Sequence, residues 1–204
     1  FPSGDRNLGT QMKATGEVMA IDRSFEAALQ KAVRSLEVSE DSLLWEDPAW
    51  AEPLASSADP IQALPLHGND LRLWALMAAL RRGVKPETLA VHTAVDPWFL
   101  HKLNNIVAME TNLLAEPLTP RLLRQAKRLG FSDTQIGTLA DRLPEQVHGL
   151  RREWNVRPVY KMVDTCAAEF EAATPYFYST YEDENEALPL PGRSAVVIGS
   201  GPIR

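Results

Sequence analysis

Between Asn69 and Trp154 the chain is punctuated at short intervals by residues that open and close helices. Asn69 or Asp70 can cap a segment carrying Leu73, Trp74, Leu76, Met77 and Leu80. Arg81, Arg82 and Gly83 follow where a helix C-terminus wants cations and a left-handed residue. Pro86 opens a short segment, and Asp96-Pro97 and Thr119-Pro120 each place a cap before a proline at the first helical position. Ser132 and Gln135 have capping-box spacing, and Pro144 opens a final segment through Val147, Leu150 and Trp154. The pattern repeats at an offset of 47 residues: Gly83 with Gly130, Pro86 with Asp133, Leu89 with Ile136, Pro97 with Pro144, Leu100 with Val147 and Leu103 with Leu150. Each copy reads as a helix, a glycine stop, a short helix and a proline-started helix. Two copies are too few for a solenoid, so the pattern predicts a mainly α, two-lobed helical domain.

The flanks differ. Residues 18–21 (Val-Met-Ala-Ile) form an apolar run of strand length. Ser24 then caps a helix whose stripe is Phe25, Ala28, Leu29, Ala32, Val33 and Leu36, with Glu26, Gln30, Lys31 and Arg34 outside it. No Lys or Arg occurs between Arg34 and Arg72, while Glu37, Glu40, Asp41, Glu46, Asp47, Glu52 and Asp59 accumulate among four prolines. This predicts an acidic connector, with Trp45 and Trp50 packing it onto something. Beyond Trp154, Val156–Val163 and residues 175–178 are strand-prone, and Pro189 and Pro191 stiffen a linker. Ala195-Val196-Val197-Ile198 runs into Gly199-Ser200-Gly201 like the first strand of an α/β unit. The start at Phe1 without methionine, and the stop just after that glycine turn, read as a section of something longer.

Composition narrows the chemistry. A net charge of −6 argues against a general polyanion-binding surface, and no apolar run reaches membrane-spanning length. Cys166 has no partner for an internal disulfide, which points to a reducing compartment, and its setting among Thr165, Ala167 and Ala168 reads as a small buried thiol. His67, His92, His101 and His148 show no metal-ligand spacing. Residues 119–157 carry eight basic against four acidic residues, locally +4, which permits a helix-turn-helix nucleic-acid-binding module as the alternative; a solvated helix face explains the same charges. Gly199 and Gly201 supply part of a phosphate-cradling turn but no complete nucleotide site.

Two segments resemble the large subunit of carbamoyl-phosphate synthase. One is Leu8-Gly9-Thr10-Gln11-Met12-Lys13 with Gly16-Glu17-Val18-Met19-Ala20-Ile21. The other runs from Pro158-Val159-Tyr160-Lys161 through Asp164-Thr165-Cys166-Ala167-Ala168-Glu169-Phe170 to Tyr178-Ser179-Thr180-Tyr181-Glu182. Asp96-Pro97-Trp98-Phe99-Leu100, Ala126-Lys127-Arg128-Leu129-Gly130-Phe131 and the terminal Gly199-Ser200-Gly201-Pro202-Ile203-Arg204 resemble it in the same order. The resemblance implies four sections. Residues 1–37 would be the end of the first ATP-grasp (carboxyphosphate) half, and 38–155 the helical oligomerisation domain. Residues 156–190 would be a connector, and 191–204 the first strand and glycine turn of the carbamoyl-phosphate-forming half.

The resemblance further implies a cytoplasmic parent that makes carbamoyl phosphate from bicarbonate, glutamine-derived ammonia and two ATP, for arginine and pyrimidine synthesis. Its cofactors would be ATP, Mg2+ or Mn2+, and K+. Its partners would be a second copy, the rest of the large subunit and a glutaminase small subunit, with no nucleic acid and no membrane. The section itself would be a non-catalytic scaffold with neither cofactor nor catalytic residue. Glu17 is the one candidate functional carboxylate, beside the passage that carbamate travels, with Lys13 as a possible ion-pair partner.

Overall fold

The computed structural model describes residues 4–13, 17–36, 42–170, 174–197 and 199. They fall into two units, Phe1–Arg157 and Pro158–Arg204. The first holds α1 (Phe25–Arg34), a 3-10 turn (Pro48–Trp50), α2 (Ala51–Ser56), α3 (Pro60–Ala63), α4 (Arg72–Arg81) and α5 (Pro86–Thr93). It continues through α6 (Pro97–Ala115), α7 (Pro120–Arg128), α8 (Asp133–Leu139) and α9 (Pro144–Glu153). The second holds one antiparallel pair, β1 (Val159–Met162) and β2 (Phe177–Thr180), with Val159 opposite Thr180 and Met162 opposite Phe177. The described chain is thus mainly α with short strand and coil flanks, as expected.

The caps do what their side chains allow. Ser24 Oγ accepts from the Ala27 N–H at 3.2 Å, Asp96 Oδ1 from Trp98 at 2.8 Å and Thr119 Oγ1 from Leu122 at 3.2 Å. Ser132 Oγ accepts from the Gln135 N–H at 3.0 Å, and Gln135 Oε1 accepts from the Ser132 N–H at 2.8 Å. Each such cap is worth about 1 kcal/mol. Asn69 acts one step earlier than expected. Its Oδ1 accepts from the Leu71 N–H at 2.8 Å and its amide donates to the Pro65 and His67 carbonyls, so it fixes the loop, and α4 begins only at Arg72.

The internal repeat is physical. Gly83 and Gly130 sit at φ 81° and 90°, and Ala94 and Asp141, again 47 apart, sit at 55° and 51°. The same closing hydrogen bond follows each glycine stop, Val84 N–H to the Ala79 carbonyl and Phe131 N–H to the Ala126 carbonyl, both 3.1 Å. Matched core positions are equally buried: Leu89 with Ile136 and Leu100 with Val147, all at 0% exposure. The copies differ in their third helix, since α6 has 19 residues and α9 only 10. The extra length lets α6 serve as the central strut, packing against α1, α4, α5 and α8.

Four expectations change. The apolar run Val18–Ile21 is not a strand, and residues 195–197 are not one either; Ile198 lies outside the described residues. An apolar run becomes a strand only where a neighbour satisfies its ladder, and neither run has one among the described residues. The described part of the acidic connector is folded, with Leu43, Trp50, Leu64 and Leu66 buried; Glu37, Glu40 and Asp41 lie outside it. Trp45 stands edge-on to Trp50 and Trp74 at centroid distances of 6.0 and 6.1 Å, and the Trp74 indole donates to the Ser42 carbonyl at 2.9 Å.

The fourth change concerns α1, which lies against the other helices by its polar side. Glu26 and Gln30, expected outside the apolar stripe, are 3% and 1% exposed. Asn105 of α6 donates to Glu26 at 2.8 Å. Gln30 donates to the Leu129 carbonyl and accepts from Gln135, both at 2.8 Å. Arg34 donates to the Gly130 carbonyl at 2.7 Å. Of the predicted stripe only Val33 is fully buried; Phe25, Ala28, Leu29, Ala32 and Leu36 are half-buried.

Candidate functional site

Glu17 lies in an exposed, irregular stretch ahead of α1. Lys13 does not pair with it. Its ammonium instead lies 2.6 Å from both Asp5 Oδ2 and the Asn7 carbonyl, and the Asp5 carboxyl is held below its ordinary value by that lysine. Gly199 is exposed and outside any helix or strand, while Gly201 lies outside the described residues.

The remaining candidates also disperse. His67 and His92 are exposed, His101 lies 3.2 Å from Glu87, and His148 contacts Arg151 at 3.1 Å. Cys166 is half-buried rather than buried, because its neighbours form a turn around the Asp164 carboxylate, which accepts from the Cys166 and Ala168 N–H groups. Among the described residues no three His, Cys, Asp or Glu side chains are grouped to hold a metal, and no helix is long and apolar enough to cross a membrane.

Charged side chains converge instead at two buried knots that hold helices together. In the first, Arg81 at the end of α4 makes a bidentate pair with Glu110 of α6, Nε to Oε2 at 2.7 Å and Nη2 to Oε1 at 2.9 Å. It also donates to Glu46 at 3.1 Å and to the Leu43 carbonyl at 2.6 Å, so one guanidinium ties α4, α6 and the connector together. Burial opposes the Arg81 charge, but Glu110 and Glu46 outweigh it and raise its pKa. Burial likewise opposes the Glu46 carboxylate, yet Arg82 and Arg81 hold its pKa below the ordinary value.

In the second knot, the Lys127 ammonium of α7 is buried and donates to the Phe131 carbonyl at 2.7 Å and to Asp133 at 2.9 Å. Arg151 of α9 closes on the same carboxylate at 2.7 Å. Burial pushes Lys127 down to about 8 although Asp133 opposes the shift. Asp133 is itself held below its ordinary value, because Arg151 and Lys127 outweigh its burial. The sequence showed these residues only as a net charge and as helix ends; their opposite charges at 127, 133 and 151 were the available signal. Two of the eight cations that suggested nucleic-acid binding are thus spent inside the fold.

A family model described as the carbamoyl-phosphate synthetase large chain, oligomerisation domain, matches residues 17–155. The carbamoyl phosphate synthase large chain of Thermomicrobium roseum is 56% identical over all 204 residues, and this chain spans 18% of that relative's length. Nothing in these comparisons supports the nucleic-acid alternative. A repeat of capped helices, knotted by buried ion pairs and covered by the family match, places this chain in the carbamoyl-phosphate synthetase large chain family, as its oligomerisation-domain section.

Proposed function

We propose that this section serves as a non-catalytic scaffold through which large chains associate with one another, and which joins the synthetase halves on either side of it. The observation that carries the proposal is the coincidence of the family match, residues 17–155, with a unit whose buried charged side chains, Glu26, Glu110 and Lys127, are committed to holding helices together. Arg81, Glu110, Lys127 and Asp133 are each spent on structural contacts, and a group locked in such pairs is poorly placed to move protons for a substrate. ATP, divalent metal and K+ are assigned, from the family resemblance, to the rest of the large chain.

On this reading the parent is a cytoplasmic, glutamine-dependent carbamoyl-phosphate synthase. It consumes bicarbonate, ammonia and two ATP for arginine and pyrimidine synthesis, with a glutaminase small subunit as partner. Glu17 is assigned to the wall of the carbamate passage, a role that suits an exposed carboxylate outside the helical packing. The test of that role is Glu17→Gln in the whole large chain. It is expected to leave bicarbonate-dependent ATP hydrolysis intact while lowering carbamoyl phosphate formed per ATP. An unchanged yield removes Glu17 from the passage.

A further inference from the structure

In the second unit, two side chains close the edge of β1 that faces away from β2. Successive residues of a strand turn their N–H and C=O groups to opposite edges. The Val163 N–H meets the Tyr176 carbonyl at 2.9 Å on the β2 side, so Tyr160 and Met162 turn theirs to the other edge. There Asn185 Oδ1 accepts from the Tyr160 N–H, the Glu186 N–H donates to the Tyr160 carbonyl, and Glu186 Oε2 accepts from the Met162 N–H, each at 2.8 Å. Glu186 Oε1 takes the Lys161 ammonium at 2.9 Å, and the Asn185 amide donates to the Ala187 carbonyl at 2.7 Å. Residues 181–184 carry the chain across. The far edge of β1 lies two strand spacings from β2, about 10 Å, and four residues reach about 14 Å.

Residues 185 and 186 are not a strand, and only one of the three edge bonds joins backbone to backbone. A true third strand would bring its own outer row of N–H and C=O groups and move the open edge outward. Side-chain acceptors end the ladder instead, and the chain runs on to Pro189 and Pro191, which have no N–H to offer a further strand. We infer that Asn185–Glu186 is a strap that occupies the outer edge of β1 and keeps the hairpin from pairing along that edge with a second copy of itself. The occupant follows from the geometry, because an open antiparallel edge is its own complement under a two-fold rotation. Tyr160 on this strand is 48% exposed, an aromatic surface that a pairing strand would cover, and the Lys161 charge that would discourage such pairing is taken up by Glu186. The inference concerns the second unit alone and stands apart from the association proposed for the helical one.

Two variants of the whole large chain test the strap. Asn185→Ala with Glu186→Ala removes both side-chain acceptors, while Glu186→Gln alone keeps an acceptor for the Met162 N–H and drops the charge. Hydrogen exchange is read by mass spectrometry on the peptide covering 159–163 in dilute samples, and sedimentation is run beside the wild type over rising concentration. The double variant is expected to exchange there about five- to ten-fold faster, as the loss of an ordinary hydrogen bond implies. It is also expected to form a species heavier than any in the wild type at equal concentration, with a share that grows with concentration. Glu186→Gln is expected to match the wild type in both readouts. Unchanged exchange in the double variant overturns the strap. Faster exchange with the wild-type sedimentation profile overturns the guarded edge. Alanine-like behaviour of Glu186→Gln moves the closure to the Lys161 ion pair and overturns the acceptor role. Each variant is compared with the wild type at the same concentration, so none of these outcomes depends on whether the helical units associate.

Discussion

Gly83 and Gly130 occupy equivalent positions of the repeat with nearly the same left-handed φ, but different surroundings, and alanine at each should separate the two. A Cβ on Gly83 meets nothing within 4 Å, so Gly83→Ala costs only backbone strain, about 1 kcal/mol after the entropy it removes from the unfolded chain. A Cβ on Gly130 would stand 2.8 Å from Ala27 Cα, 3.1 Å from its carbonyl oxygen and 3.2 Å from Gln30 Cβ. Carbon contacts are comfortable from about 3.5 Å, so α1 must retreat by roughly 0.7 Å. That movement stretches the bonds from Gln30 to the Leu129 carbonyl and from Arg34 to the Gly130 carbonyl. Overpacking adds about 1–3 kcal/mol, for about 2–4 kcal/mol in all. For a unit of this size each kcal/mol lowers the melting temperature by about 2–4 °C. Gly83→Ala should therefore lose a few degrees and Gly130→Ala roughly two to four times as many. Urea unfolding of the two variants should rank them alike, with m-values unchanged. Equal losses within about 0.5 kcal/mol would refute the seating of α1 on the α7–α8 turn.

Two further outcomes follow from the buried knots. Asp133→Asn leaves the Lys127 ammonium facing Arg151 without its counter-charge, and should cost about 2–3 kcal/mol near neutral pH. The sign follows from the two shifts. A carboxyl held below 3.8 contributes stability that is present above that value and lost as pH falls through the folded pKa. Lys127 stands at about 8 with Asp133 beside it and is pushed lower still without it, so the lysine's part of the penalty should shrink as pH rises toward 8 and be gone above it, which urea melts at pH 6 and 9.5 would check. Arg81→Lys keeps the charge but not the fork that grips Glu110, Glu46 and the Leu43 carbonyl at once. It should lower stability by about 2 kcal/mol and loosen the connector, read as faster amide exchange around Leu43.

What could be read from the sequence was local. Ser24, Asp96, Thr119, Ser132, Gly83 and Gly130 act within a turn of their own position, so caps and stops were legible, and the repeat with them. Asp47-Pro48 and Asp59-Pro60 carry the same device as Asp96-Pro97. Asp47 caps the 3-10 turn and Asp59 caps α3, so the folding of the connector was encoded although its four prolines read as interruption. The burial of Glu26 and Gln30 could not be seen, because their partners Asn105 and Gln135 are 79 and 105 residues away. A polar helix face looks the same in a sequence whether water or a distant amide satisfies it. The apolar runs at 18–21 and 195–197 erred the other way, since a strand is decided by a neighbour that no local pattern contains. Glu17 was legible only through a family resemblance, and it lies exposed in an irregular stretch.

The proposed role of this helical section is to make large chains associate. Sedimentation velocity of the whole large chain, followed from about 0.1 to 50 μM and spanning the micromolar range in which Kd corresponds to about −8 kcal/mol, tests it most directly. A reversible, concentration-dependent shift from one copy to a dimer or larger assembly is expected. A single-copy species across the whole range would contradict it.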